Sequence, residues 1–590
     1  MKLIEALEVL REPWPDDAAP FRVDLVCGFT PLHLVTFLAA HLRRLCADRR
    51  IEVDTGLFGD LLNTLERVEK SRPDACAIVL EWADLDPRLG LRSVGGWGPG
   101  VLEDIVATVA SRIDRIAYLI NRISQTAPIA LCLPTLPLPP VSYAPGWRAS
   151  DFDLRIRGTL SRIEDAEALG PKIRILNRQR LDLVSPLSER LDVRSEFSSG
   201  FPYKLPHASS LAELLARLVF TTAPKKGVIT DLDNTMWRGI LGEAGVEGIS
   251  WDLGNRSQVN GLYQQMLQAL AETGALIAIA SKNDPGLVEE ALAREDLLLD
   301  RDRIFPKEVH WRRKSESVRS ILNAWNVGAD SVVFVDDSPM EVAEVRQIYP
   351  EMECLVFPAE DVQAAYELLE RLRDMFGKDT ISDEDTLRVD SLRRSTAFKE
   401  APQMASDSTD GDFLERVDAE ITLNFVKDPA DSRALELVNK TNQFNLNGKR
   451  YSEGSWEAYL KRPDTFVLVA SYKDKYGPLG RVAVVAGRYQ FESLVVEAWV
   501  MSCRAFSRQI EYRCLLTLFD RFQVDEMILS FQETAKNGPF RDFLTPLLAE
   551  APAQSMKLYR EVFMRRVPQL FHEVKTLVDD RSPMSAHPVF

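Results

Sequence analysis

The sequence predicts a multidomain α/β protein, on three observations. Short apolar runs alternate with amphipathic stretches in two separate regions, the pattern of parallel strands joined by helical crossovers. A third region switches to strands in succession with helices before and after, an α+β pattern. Finally, 590 residues at roughly 100–200 per domain allow three or four domains.

The elements follow in order. "FRVDLVCGF" (21–29) reads as a buried strand, and "PLHLVTFLAAHLRRLC" (31–46) follows with helical periodicity. "DACAIVLEW" (74–82) is a second strand, 101–123 a long helix and "PIALCLPTL" (128–136) a third strand. Proline-rich and polar breaks at 134–145 and 198–210 close a first domain, 1–220. In the second domain, 221–376, "KGVITDLD", "ALIAIAS" and "SVVFVDD" are strands, and 257–273, 315–325 and 361–375 are helices. A charged connector, 377–412, carries the polar break "DSTDGD" (407–412). In the third domain, 413–590, "ITLNFV", "TFVLVASYKD", "GRVAVVAGRYQF" and "SLVVEAWVMS" read as successive strands. No internal repeat is visible.

Composition is that of a globular protein, with 45% hydrophobic and 27% charged residues. A formal net charge of −16 argues against nucleic acid as a partner, because phosphates repel an acidic chain, although a local basic patch stays open. The amino terminus has no apolar signal core, and no run of ~18 apolar residues predicts a membrane span. The seven cysteines are scattered, odd in number and without CxxC spacing. They read as reduced thiols of a cytoplasmic protein.

The chemistry starts at "VITDLDNTMWRGILGEAG", from Val228. Asp231 and Asp233 stand at the carboxyl end of a strand, where open α/β sheets bind ligands. Alternation puts both side chains on one side. Two adjacent carboxylates are costly unless a cation lies between them or one is protonated, and a hard cation such as Mg²⁺ suits oxygen donors. The second strand ends at Ser281, Lys314 precedes a helix, and the third strand ends in Asp336 and Asp337. About 45 residues separate Asp233 from the second strand, room for a flap and a helix but not for a large cap domain.

This ordered set resembles the haloacid dehalogenase (HAD) superfamily. In its DxD-type members the first aspartate attacks phosphorus, and the second protonates the leaving group and then activates water. A hydroxyl and a lysine hold the phosphoryl oxygens and an acidic pair holds Mg²⁺, matching the need for fixed positive charge around a transferring phosphoryl group. Longer strings, "HWRRKSESVRSILNAWNVGADSVVFVDDSPMEVAEVR", "TNQFNLNGKRYSE" and "VMSCRAFSRQIE", are similar to FkbH-like proteins of polyketide pathways, HAD subfamily IIIC, over about 225–530. The resemblance implies a degenerate SGNH-hydrolase-like amino-terminal domain, a capless HAD domain of Rossmann-like form and a GNAT-like acyltransferase domain. It implies dephosphorylation of 1,3-bisphosphoglycerate and delivery of a D-glyceryl unit to the phosphopantetheine thiol of an acyl carrier protein. Asp231 is then the phosphoryl acceptor and Asp233 the acid/base. Thr235, Ser281, Lys282, Asn283 and Lys314 are phosphate or substrate ligands, and Asp231, Asp233, Asp336 and Asp337 form the metal set. Two rival readings are a plain Mg²⁺-dependent phosphatase on another ester and a non-catalytic carrier-binding scaffold.

The third domain offers Cys503, beside Arg504 and a helix start that favour thiolate, as an acyl relay or as core filling. Ser507 and Gln509 stand where a GNAT loop wants glycine-type residues, so its fold could hold a pantetheine arm or the carrier instead of acetyl-CoA. Asn442, Gln443 and Asn445, in the polar string 441–450, are substrate or carrier contacts or an ordinary turn. In the first domain "CGFTP" (27–31) occupies the turn where an SGNH hydrolase keeps its serine. Thr30 is the hydroxyl there and His207 a candidate partner, within a domain read as a scaffold.

Overall fold

The computed structural model describes residues 1–15, 18–164, 170, 172–378, 381, 418–429, 431–441, 444–475, 477–490, 493–502, 505–506, 508–534, 537–548 and 555–578. The chain divides into two compact units, Met1–Thr222 with Ser452–Gly454, and Ala223–Tyr451 with Ser455–Phe590. Among the described residues no helix is long and apolar enough to cross a membrane.

The first unit holds a five-stranded parallel sheet of β1 (Ala19–Val26), β2 (Arg49–Thr55), β3 (Ala75–Val79), β4 (Ile129–Cys132) and β5 (Ile173–Ile175), ordered β2-β1-β3-β4-β5. Strand alternation feeds two cores. Ala75, Ala77 and Val79 join one with Phe37, Leu38, Leu211 and Leu215. Cys76 and Ile78 join the other with Leu65, Ile105, Val109 and Ile113. Helices therefore cover both faces, so β3 and β4 are buried throughout.

In the second unit, residues 223–378 form another parallel sheet: β6 (Gly227–Thr230), β7 (Leu276–Ser281), β8 (Ile304–Val309), β9 (Val332–Asp336) and β10 (Glu353–Val356), ordered β10-β9-β6-β7-β8. Val228, Ile277, Ile279, Val333 and Val335 pack under Gln258–Glu272 and Val362–Phe376. Ile229, Ala278, Ala280 and Phe334 pack under Lys314–Trp325. The chain runs from β6 to β7 on one side and later returns to β9 on the other. The topological switch point therefore lies between β6 and β9, where such sheets open a crevice. Between Asp233 and the helix Gln258–Glu272 there is a short flap holding one four-residue helix, Leu241–Ala244. No cap domain stands there, as its length predicted.

Residues 418–578 form the α+β region. β11 (Glu420–Asn424), β12 (Phe444–Asn445), β13 (Thr465–Asp474), β14 (Gly477–Gln490), β15 (Ser493–Met501), β16 (Glu526–Leu529), β17 (Met556–Tyr559) and β18 (Glu573–Leu577) make one mixed sheet, ordered β17-β16-β15-β14-β13-β11-β18, with β12 beside β15. The helix Ile510–Phe522 connects β15 to its parallel neighbour β16.

Candidate active site

Asp231 follows β6 directly, its amide bonded to Val335 O of β9 at 2.9 Å. That pairing carries the strand register one residue past the sheet and aims the carboxylate into the crevice. Asp336 closes β9 and is fully buried, and Asp337 follows it. Asp231, Asp336 and Asp337 each present an oxygen within 4.8 Å of the others. Lys314, the first residue of its helix and 1% exposed, enters between them. Its Nζ lies 2.6 Å from Asp231 Oδ1, 3.0 Å from Asp336 Oδ2 and 3.3 Å from Glu341 Oε2, and donates to Ala280 O at 2.6 Å. Lys282 Nζ pairs with Glu341 Oε1 at 2.7 Å. Ser281, the last residue of β7, hydrogen-bonds Asp231.

The electrostatics are unbalanced: four carboxylates face two lysines. Burial raises Asp231 above the usual carboxylate range, against the pull of Lys314. Burial, and then the Asp231 carboxylate, push Asp336 up to about 7. The same two causes raise Asp337. Burial works against the Lys314 charge, but Asp231, Asp336 and Glu341 outweigh it and hold the ammonium above its ordinary range. Asp336 Oδ1 accepts from Ser338 N at 2.9 Å, while no donor is aligned on its buried Oδ2. Three crowded oxygen donors, all shifted towards the neutral form, are the electrostatic deficit that a divalent cation relieves. Asp231, Asp336 and Asp337 fit Mg²⁺.

Asp233 differs from the four-carboxylate expectation. Its Oδ1 accepts from Trp237 Nε1 at 2.9 Å and Leu241 N at 3.2 Å, and its Oδ2 from Asn283 Nδ2 at 3.0 Å. The flap supplies two of these donors and the turn after β7 the third, so the side chain stands outside the metal cluster and is an acceptor on both oxygens. Thr235 is fully buried with its hydroxyl unpartnered, and Asn283 also reaches Ser281 Oγ at 3.4 Å. Asn283 reaches the cluster through Ser281, and Lys282 through Glu341. Two site residues escaped the sequence reading. Glu341 lies in the first turn of the helix Pro339–Ile348, and the acid in "DDSPME" was its only trace. Asn234 turns the chain at φ 51°, accepts from Gly239 N at 3.1 Å and bonds Asp337. Asparagine tolerates that left-handed conformation better than most residues.

Cys503, Asn442 and Gln443 lie outside the described residues. Asn445 Oδ1 accepts from Asn447 N and Gly448 N, at 3.1 and 2.7 Å, and its Nδ2 donates to Thr441 O at 2.8 Å. Its amide builds the turn after β12.

In the amino-terminal sheet the protein itself satisfies the carboxylate at the switch point. At its switch point, between β1 and β3, Glu81 is buried and accepts from Thr135 N at 3.2 Å, Thr135 Oγ1 at 2.6 Å, Leu136 N at 3.2 Å and Tyr203 Oη at 2.7 Å. His207 Nε2 lies 3.1 Å from Thr135 Oγ1 and its Nδ1 2.9 Å from Ser185 Oγ. Burial lowers His207 to about 3, so it is neutral. Both ring nitrogens are engaged, so His207 has none left for Thr30, and no hydrolase pair forms. Asp84, raised by burial to about 7, lies so close to Gly28 that a Cβ there would meet its Oδ1 at 1.7 Å.

No family model and no curated protein sequence matches this chain. Among solved structures, it is similar to the N-terminal part of the protein BF1531 from Bacteroides fragilis, described as containing a phosphatase domain complexed with Mg. The TM-score is 0.52 at 20% identity, covering 64% of this chain and 100% of that one. A GDSL-like lipase from Parabacteroides merdae aligns over 35% of this chain and 99% of its own, at 12% identity and a TM-score of 0.22, too low to carry an argument. The first likeness establishes the fold alone: this is a multidomain α/β chain built on parallel sheets.

Proposed function

We propose that the chain is a Mg²⁺-dependent HAD-type phosphatase whose nucleophile is Asp231. The observation that carries this reading is the buried Asp231–Asp336–Asp337 cluster, with Lys314 between its members at the switch point. Asp231 attacks phosphorus, the bond from phosphorus to the leaving oxygen breaks, and an aspartyl-phosphate forms. Lys314 and the Ser281 and Thr235 hydroxyls hold the phosphoryl oxygens, with Asn283 and Lys282 beside them. Asp233 supplies a proton to the leaving oxygen and then takes one from the water that releases phosphate. Asp231, Asp336 and Asp337 would hold Mg²⁺, which when bound neutralises charge on the transferring group.

For the substrate, the resemblance to FkbH-like proteins and the short flap support 1,3-bisphosphoglycerate. Asp231 would remove the 3-phosphate; the Cys503 thiolate in the third domain would then attack the acyl-phosphate carbonyl, releasing inorganic phosphate, and thioester exchange would pass the D-glyceryl unit to the pantetheine thiol of an acyl carrier protein and restore the Cys503 thiolate. Mass spectrometry of carrier protein incubated with the enzyme, Mg²⁺ and 1,3-bisphosphoglycerate tests this, with a glyceryl thioester as the expected product. Phosphate release without loading would leave a plain phosphatase. Neither product would return the chain to a carrier-binding scaffold.

A further inference from the structure

An open space in the amino-terminal domain adjoins the Glu81 network through Thr135. It lies past the carboxyl ends of β4 and β5, with a volume of about 120 Å³. That is several times the ~10–15 Å³ one water needs. Arg190, completely buried, forms part of its lining. Arg190 donates to Thr135 O at 2.9 Å and to Ser185 O at 2.7 Å and pairs with Asp182, so its guanidinium is immobile. Arg157 and Arg178 line the same space from the exposed side, and neither has an ion-pair or hydrogen-bond partner among the described residues. Apolar side chains, Leu160, Leu176 and Leu181, complete the wall.

We propose that this cavity binds a small organic anion, a carboxylate or phosphate ester with a short apolar body. Arg157 and Arg178, without partners among the described residues, bring positive charge to a recess whose third arginine, Arg190, is held by Asp182 and backbone carbonyls, in an otherwise acidic chain. Guanidinium forks match carboxylate and phosphate geometry, and the leucines select an organic body over a bare ion. The volume admits a few heavy atoms and excludes a polymer.

The test is equilibrium titration of the full chain in EDTA with butyl phosphate, butyrate and inorganic phosphate. Arg157→Ala/Arg178→Ala, both exposed, is compared with Arg148→Ala/Arg194→Ala, which removes the same net charge elsewhere. The expected result is saturable binding of butyl phosphate or butyrate, weakened at least tenfold in the first variant and unchanged in the second. Whichever of those two probes binds tighter identifies the head group. Equal binding by wild type and the first variant, equal loss in both variants, or preference for inorganic phosphate over both organic probes would overturn the proposal.

Discussion

The two parallel sheets of this chain each place carboxylates at the carboxyl ends of their strands, beside their switch points, with opposite results. In the amino-terminal sheet Glu81 is surrounded by fixed donors from Thr135, Leu136 and Tyr203. In the middle sheet Asp231, Asp336 and Asp337 share one lysine, and a buried oxygen of Asp336 lacks an aligned donor. Acids at strand ends are common to both. What separates a strut from a site is whether the protein itself satisfies the charge.

The sharpest way to break this contrast is to remove one acid from each sheet. Asp231→Asn should cut Mg²⁺-dependent phosphate release by at least about 10³-fold, the scale of losing a nucleophile, with the urea unfolding profile little changed. Retained activity would remove Asp231 from the mechanism. Glu81→Ala should do the reverse. It strands buried donors of Tyr203, Thr135 and Leu136, at a cost of roughly 3–5 kcal/mol, seen as earlier unfolding of the amino-terminal domain with phosphate release preserved.

Metal should stabilise only the unsatisfied cluster. At about 100 times its dissociation constant, Mg²⁺ adds about 2.7 kcal/mol to the folded state. Asp336→Ala/Asp337→Ala should erase that gain in a thermal melt. An equal Mg²⁺ shift in the double variant would place the ion elsewhere.

The smallest effect is one of pH. His207 has a folded value of about 3 against an ordinary 6.5, so between those values the unfolded chain binds the extra proton. Its contribution is complete above pH 6.5 and is lost on acidification, by up to about 1.4 kcal/mol per unit. Asp84 runs the other way: its folded value near 7 makes its neutral form's contribution greatest at low pH and lost as pH rises towards 7. The two slopes oppose each other in the wild type. His207→Gln should therefore lose less stability than wild type as pH falls from 6.5, and parallel melting profiles would show that His207 is not buried neutral.

The middle strands were legible because burial on both faces makes them continuous apolar runs, as in "ALIAIAS" and "SVVFVDD". Edge strands were not. β2 reads "RRIEVDT", with charge on alternate residues, and β8 carries a proline. Asp231, Ser281, Asp336 and Asp337 were legible because strand ends fix their positions in chain order, and Lys314 because it opens the helix that follows β8. Glu341 depends on the direction in which a helix leaves its cap, and the turn of Asp233 towards the flap depends on donors from Trp237 and Leu241. The Glu81 network was hidden because its partners Thr135 and Tyr203 lie 54 and 122 residues away.

The contact between Gly28 and Asp84 has a consequence for how this domain can change by mutation. The two positions compete for one volume, so any side chain at 28 collides with the Asp84 carboxylate while that carboxylate is present. A substitution at 28 is harmful alone and becomes accessible only after Asp84 has been replaced by something smaller. The order of events is therefore constrained, a case of sign epistasis written into a single interatomic distance. A lineage in which Asp84 is held by its role in the Glu81 turn, where its Oδ2 accepts the Glu81 amide at 2.8 Å, has little route back to a side chain at the head of that crevice.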